Sequence, residues 1–282
     1  MGTVIYGSEL SQELRDQLRA RIDSLKEQGK RVPCLAVILV GDNPASISYV
    51  RGKGKACESV GMKNREIDLP ADISMEELKS VIQSLNEDPE VDGILLQLPL
   101  PGGLSDTEAI LTIDPRKDVD GLHPINIGNF YLNEPCFVPC TPMGIMELLK
   151  RMNCDPDGKT AVVLGRSKLV GTPVARLLQN ANATVTVCHS HTEHLAEVCA
   201  SADILIAAIG KPKFVTEEFV KEGAYVIDVG VNRLEDGHLC GDTDFEAIKE
   251  KAGYITPVPK GVGPMTITSL LINTLKAYGE TL

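Results

Sequence analysis

Residues 160–173 read Thr-Ala-Val-Val-Leu-Gly-Arg-Ser-Lys-Leu-Val-Gly-Thr-Pro, and Val174, Leu177 and Leu178 follow at helical spacing. A short β-branched run, a glycine turn and an amphipathic helix form the repeating unit of an α/β fold with a parallel sheet. The same order suits a phosphate cradle. Gly165 and Gly171 let backbone approach an anion, and the first amides of the helix point at it. The spacing is G-x-S-x-x-x-G, a variant of the dinucleotide fingerprint, and an ordinary strand-to-helix turn with packing glycines produces the same letters.

Outward from this loop the alternation continues. Strands are expected over 161–164, 184–188, 204–209 and 225–229, with helices between them. In NAD-binding folds the second strand ends on an acidic residue that holds the ribose hydroxyls. Here it ends Val187-Cys188-His189-Ser190-His191, with no carboxylate before Glu193, while Arg166 lies in the glycine loop. A cation and a hydroxyl in that place suit a 2′-phosphate, so NADP is expected rather than NAD.

The first half repeats the plan. Cys34–Val40 is a continuous apolar strand. Helices are expected over 10–25 and 46–60, strands over 65–69 and 91–98, and Ser74 to Glu77 is a capping box that opens a third helix. The layout is βαβαβ, and its strands read as buried on both faces and parallel. Residues 99–139 are the least regular, with one short helix expected over 105–111. Thr141-Pro142 reads as an N-cap and first helical residue, and 264–277 as a final helix.

The chain has 282 residues, 43% hydrophobic and 24% charged, enough to bury a core and to favour two domains over one. Lys plus Arg number 28 and Asp plus Glu 39, a net charge of −11. That argues against a nucleic-acid or anionic-membrane partner. No apolar run approaches the roughly 20 residues of a membrane helix, and no signal peptide is read at the N-terminus. The eight cysteines show no C-x-x-C pair. They read as reduced, packed thiols of a cytoplasmic protein, and no metal is expected.

Tyr49 and Lys53 stand four apart on the expected second helix, which puts them on one face. A solvated helix face is the ordinary explanation; a desolvated lysine with a lowered pKa is the chemical one. The pair precedes the glycine loop by more than a hundred residues, so it lies in another domain, unlike the Tyr-x-x-x-Lys pair of short-chain dehydrogenases. Gln97 closes an apolar strand and needs a partner if buried. Asp120 lies in Asp118-Val119-Asp120-Gly121, where a turn carboxylate is the plain reading.

Ten stretches carry a resemblance: SISYVRGKGKACESVGM, VDGILLQLPLP, DPRKDVDGLHPINIG, PCTPMGI, VVLGRSKLVGTPVARLL, TVTVCHSHT, ADILIAAIGKP, VIDVGVNR, GDTDF and ITPVPKGVGPMT. In this order, over nearly the whole chain, they resemble the bifunctional methylenetetrahydrofolate dehydrogenase/methenyltetrahydrofolate cyclohydrolase family. One departure is visible: the family usually has two glycines where this chain has Lys260-Gly261.

The resemblance implies a two-domain α/β fold with a catalytic cleft between the domains. Residues 1–139 would form a parallel-sheet, folate-binding catalytic domain, residues 140–263 a Rossmann-like NADP-binding domain, and 264–282 a helix packed back on the first. It implies Lys53, Tyr49, Gln97 and Asp120 as catalytic residues, with Leu98, Pro259 and Gly263 joining Tyr49, Gln97 and Asp120 around the folate. Gly165, Arg166, Ser167, Gly171, Ser190 and Val231 would hold NADP. Tetrahydrofolate derivatives are the implied substrates and a homodimer through the NADP-binding domain the implied assembly. A monofunctional dehydrogenase of the same fold is the alternative activity, and a folate- or nucleotide-binding module without turnover the non-enzymatic one.

Overall fold

The computed structural model describes residues 2–282. The chain divides into two compact units: residues 13–140 with 267–282, and the segment up to Gln12 with 141–266. In chain order the first elements are β1 (Thr3–Val4), α1 (Gly7–Glu27), β2 (Cys34–Val40), α2 (Pro44–Val60), β3 (Lys63–Leu69), α3 (Met75–Glu87), β4 (Gly93–Leu96), α4 (Asp106–Thr112) and α5 (Pro124–Leu132). Then come α6 (Cys140–Arg151), β5 (Thr160–Leu164), α7 (Gly171–Asn180), β6 (Thr184–Cys188), α8 (Leu195–Ala200), β7 (Ile204–Ala207) and β8 (Tyr225–Asp228). The last are β9 (Asn232–Arg233), β10 (Leu239–Cys240), α9 (Phe245–Ile248), β11 (Tyr254–Ile255) and α10 (Val262–Ala277).

In the unit of residues 13–140 and 267–282, β2 is the centre of a parallel three-stranded sheet of order β3-β2-β4. Its seven residues are all buried, and its two faces fill two cores, as the period of two requires. Ala36 and Ile38 face Leu78 and Ile82 of α3. Leu35, Val37 and Leu39 cluster with Leu18 and Ile22 of α1, Val50 and Cys57 of α2, and Leu271 and Leu275 of α10. Burial on both faces describes β2 and β4 but not β3. β3 is an edge strand, and its sequence KNREIDL carries the charges that keep an edge soluble.

The other unit holds a six-stranded parallel sheet of order β1-β11-β8-β7-β5-β6. The chain leaves β5 for β6 on one side and then for β7 on the other. That reversal is the topological switch point where open α/β sheets hold ligands, at the carboxyl ends of the strands. The N-terminal residues belong here because β1 pairs with β11, Thr3 against Tyr254 and Val4 against Ile255.

The structure departs from expectation in short elements. α5 lies in a region read as irregular; its N-cap is His123, whose Nδ1 accepts from Ile125 N at 3.1 Å, with Pro124 in the first turn. β1, β11 and the β9–β10 hairpin, two residues per strand, are too short for a period to register. Thr141 is not a cap: α6 begins at Cys140, and the Thr141 hydroxyl pairs with that of Thr266 at 3.0 Å. No helix among the described residues is long and apolar enough to cross a membrane.

Candidate active site

In α2, two glycines, three serines and three cations crowd one helix (PASISYVRGKGKACESV), a composition with poor intrinsic helicity. Packing holds it instead, through Val50, Ala56, Cys57 and Val60. This places Lys53, half-buried, over the end of β4. Lys53 Nζ donates to Gln97 Oε1 at 2.9 Å. Gln97 is fixed by its backbone, whose N–H donates to Ile38 O at 2.9 Å, and by its own Nε2, which donates to Leu98 O at 2.7 Å. Leu98 is half-buried beside it.

Asp120 reaches the lysine by a second route. Gly93 of β4 leaves room for Val119, whose Cγ1 lies 2.7 Å from where a Cβ on that glycine would stand. Ile94 bridges to Asp118, and Ile94 N donates to Lys117 O at 2.7 Å, which lays residues 117–119 along the strand. Gly121 turns the chain with φ +70°, where a Cβ would strike Phe137 O at 2.9 Å. The turn-forming carboxylate is therefore Asp118, which accepts from Leu122 N, His123 N and Asn126 Nδ2 at 3.2, 2.8 and 2.8 Å. Asp120 is left to face Lys53 and the thiol of Cys140.

Burial lowers the Lys53 pKa from the ordinary 10.5, and the negative charge of Asp120 opposes that shift without cancelling it. Cys140 is pushed well above an ordinary thiol by burial and by Asp120, so it stays protonated. Its Sγ donates to Val119 O at 3.4 Å, and Asn273 Nδ2 of α10 donates to the same oxygen at 2.8 Å and to Val138 O at 3.0 Å. Tyr49, one turn before Lys53, is 52% exposed, its ring open to a ligand. Sequence reasoning took Cys140 for a packing thiol and passed over Asn273 and Asp118. The only signal was a buried polar residue in each of three apolar or turn segments.

In the other unit the glycine loop is built by close backbone approach. Gly165 has φ +123°, and a Cβ there would lie 2.1 Å from Ala208 O; one on Gly171 would lie 2.2 Å from Gly165 O. Ser167 Oγ accepts from Val170 N and Gly171 N at 3.2 and 3.3 Å, closing the loop onto α7. The register pairs Leu164 with Cys188, so Arg166 and Ser190, two residues beyond each, leave neighbouring strands at one edge. Both are exposed, as is Val231, at 49%, beyond β8. Pro259 and Gly263, both exposed, flank the start of α10. Between them Lys260 holds φ +79°, the left-handed region that favours glycine, and its carbonyl accepts from Ser8 N at 3.0 Å.

This loop fits NADP on its own chemistry: two glycines with no space for a Cβ, helix amides at the turn, and an exposed guanidinium and hydroxyl in place of a carboxylate.

Residues 5–120 match the family model of the tetrahydrofolate dehydrogenase/cyclohydrolase catalytic domain, and residues 139–282 that of its NAD(P)-binding domain. The chain is 55% identical over 280 residues to the "Bifunctional protein FolD" of Bacillus subtilis, covering 99% of each. Among solved structures, the bifunctional FolD methylenetetrahydrofolate dehydrogenase/cyclohydrolase of Campylobacter jejuni superposes with a TM-score of 0.97 at 48% identity, covering 99% of each chain. The Trypanosoma brucei N5,N10-methylenetetrahydrofolate dehydrogenase-cyclohydrolase, complexed with NADP cofactor and inhibitor, gives a TM-score of 0.94 at 38% identity over 99% of this chain and 97% of that one. The chain belongs to the tetrahydrofolate dehydrogenase/cyclohydrolase family.

Proposed function

We propose that Lys53 is the proton carrier with which this chain hydrolyses 5,10-methenyltetrahydrofolate to 10-formyltetrahydrofolate, after the NADP-dependent oxidation of 5,10-methylenetetrahydrofolate that forms it. The observation that carries this is the half-buried Lys53 amine, held at 2.9 Å by a Gln97 amide that is itself fixed twice. Bound at the glycine loop, NADP supplies the acceptor for the hydride leaving the one-carbon bridge. Everything else falls to side chains. Tyr49 offers an open ring to the substrate, and Asp120 and Leu98 line its approach. Water adds to the cationic methenyl carbon and must lose a proton; ring opening then needs one delivered to nitrogen. A lysine already lowered by burial accepts the first and returns the second, and a cationic substrate nearby lowers it further. Gln97 keeps the amine aimed.

Arg166 and Ser190 read the 2′-phosphate, while Gly165, Ser167 and Gly171 shape the loop and Val231 completes the cofactor contacts. The same proposal assigns folate to the unit of residues 13–140 with 267–282 and NADP to the unit of residues 141–266, to which the first twelve residues belong through β1 rather than to the expected 1–139 domain. A homodimer through the cofactor-binding unit belongs to the same proposal, supported by the edge strand β6, with its unpaired side and Val187 39% exposed. Eight free, mostly buried thiols support a reducing, cytoplasmic setting.

The test is one spectrophotometric trace with methylenetetrahydrofolate, first with NADP and then with NAD. Methenyl absorbance rises and decays with NADP in the wild type. In Lys53→Met the hydrolysis of methenyltetrahydrofolate falls by about 10²–10⁴-fold. Full hydrolysis by that variant removes Lys53 from the role.

A further inference from the structure

The unit of residues 141–266 carries two buried carboxylates that the proposed chemistry does not use. Asp228 ends β8 and is 2% exposed; Asp242, in Gly-Asp-Thr-Asp-Phe, is 0% exposed. Asp228 gathers its neighbour: its Oδ1 accepts from Asp242 N at 2.9 Å and Gly230 N at 3.1 Å, and its Oδ2 accepts from Thr243 N at 2.8 Å and Thr243 Oγ1 at 2.6 Å. Asp242 then reaches across the sheet edge. Its Oδ2 accepts from Ile209 N at 2.7 Å and Gly210 N at 3.0 Å, and its Oδ1 from Lys211 N at 2.8 Å and Asn232 Nδ2 at 2.9 Å.

Three consecutive amides on one buried carboxylate fix the loop after β7, in the way that helix-start amides hold a phosphate, with the acceptor supplied by the chain. The backbone is fitted to this arrangement: a Cβ on Gly230 would lie 2.1 Å from Asp242 Oδ1, and one on Gly241 1.9 Å from Asp228 Oδ2. The clamped loop begins at Ala208, whose carbonyl sits against Gly165. Asn232 follows Val231 directly, so the same carboxylate braces the segment beyond β8. Both braced segments stand at the carboxyl edge of a sheet in which β5, β7 and β8 run parallel, the edge that carries the glycine loop.

We propose that Asp242 is a positioning residue for the dinucleotide: it holds residues 209–211 and 231–232 in the shape against which the cofactor ring end lies, without touching the reacting atoms. The proposal rests on the assignment of NADP to this unit. Arg166 discriminates NADP from NAD, whereas Asp242, bracing backbone common to both, treats them alike.

The experiment measures KM and calorimetric Kd for NADP and NAD in the wild type and Asp242→Asn, with hydrolysis of preformed methenyltetrahydrofolate followed alongside. The expected result is a rise of about tenfold or more for both cofactors by a similar factor, with the hydrolysis rate retained within about twofold. Unchanged cofactor binding, or a parallel loss of both activities, overturns the proposal. If Asp242→Asn does not fold, Asn232→Ala decides, because it removes one of the four donors and leaves the carboxylate: a severalfold rise for both cofactors supports the brace, and no rise overturns it. Amide hydrogen exchange in the wild type gives a third reading. Residues 209–211 should exchange slowly without nucleotide, and rapid exchange contradicts a pre-formed clamp. A wild type that binds neither nucleotide contradicts the cofactor assignment instead.

Discussion

The Lys53 site and the glycine loop solve opposite problems. Lys53 and Gln97 join side chain to side chain, half-buried, with Asp120 close enough to act on the amine. The glycine loop is shaped by backbone packed on backbone, while its recognition side chains, Arg166 and Ser190, stand in solvent. A site that moves protons gains from desolvation, because burial shifts a pKa and solvent does not. A site that picks a charged ligand from solution gains from an exposed cation, whose field salt can screen. The brace of Asp242 serves the second site from beneath: its carboxylate is fully buried, accepting from the backbone of residues 209–211 and from Asn232.

The comparison breaks first at Lys53. Lys53→Met must cost hydrolysis by orders of magnitude while leaving the Kd for NADP within about twofold, measured by calorimetry; a joint loss would make the two sites one. Next in size, Arg166→Ala raises the KM for NADP about tenfold or more and that for NAD little, since a charge-assisted hydrogen bond contributes about 1.5–3 kcal/mol. The gap between wild type and variant should narrow as salt rises.

A smaller effect sharpens the buried side. Burial raises the Asp118 carboxyl from the ordinary 3.8 to about 6, against the amides that stabilise its charge. Its folded value lies above its unfolded one, so its favourable contribution is complete below about pH 4 and lost as pH rises through about 6. On acidification from about pH 7.5 to about 4.5, wild type should gain about 2 kcal/mol relative to Asp118→Asn, read from urea unfolding at each pH. The smallest effect lies at Lys260. A side chain at φ +79° costs about 1–2 kcal/mol and a glycine there loses about 0.5–1 in chain entropy. Lys260→Gly should therefore stabilise by about 0.5–1 kcal/mol in the same assay.

Much of this was legible because the long elements obey a period. β2 is an unbroken apolar run, α3 announces itself by the Ser74–Glu77 box, and the Tyr49–Lys53 spacing fixes a shared face. What escaped depends on contacts far apart in the chain. Asp118 and Asp120 are indistinguishable as letters in DVDG, and only the bridge to Ile94 and the turn at Gly121 send one to amides and the other toward Lys53. Asp242 sits 31 to 33 residues from the amides it clamps, a separation no local pattern encodes. α5 was missed because its buried residues include Asn126, which bonds Pro115 O and Asp118 instead of extending an apolar stripe.

The protonation state of Lys53 is open to direct observation. With ¹³Cε-labelled lysine, the NMR titration of the wild type should show a resonance that loses its proton below the ordinary lysine range near 10.4 and is missing from Lys53→Met, while the resonance of Lys117, which burial also lowers, stays in the variant. If the resonance missing from Lys53→Met titrates in the ordinary range in the wild type, the amine is not desolvated and the proton carrier must be sought elsewhere.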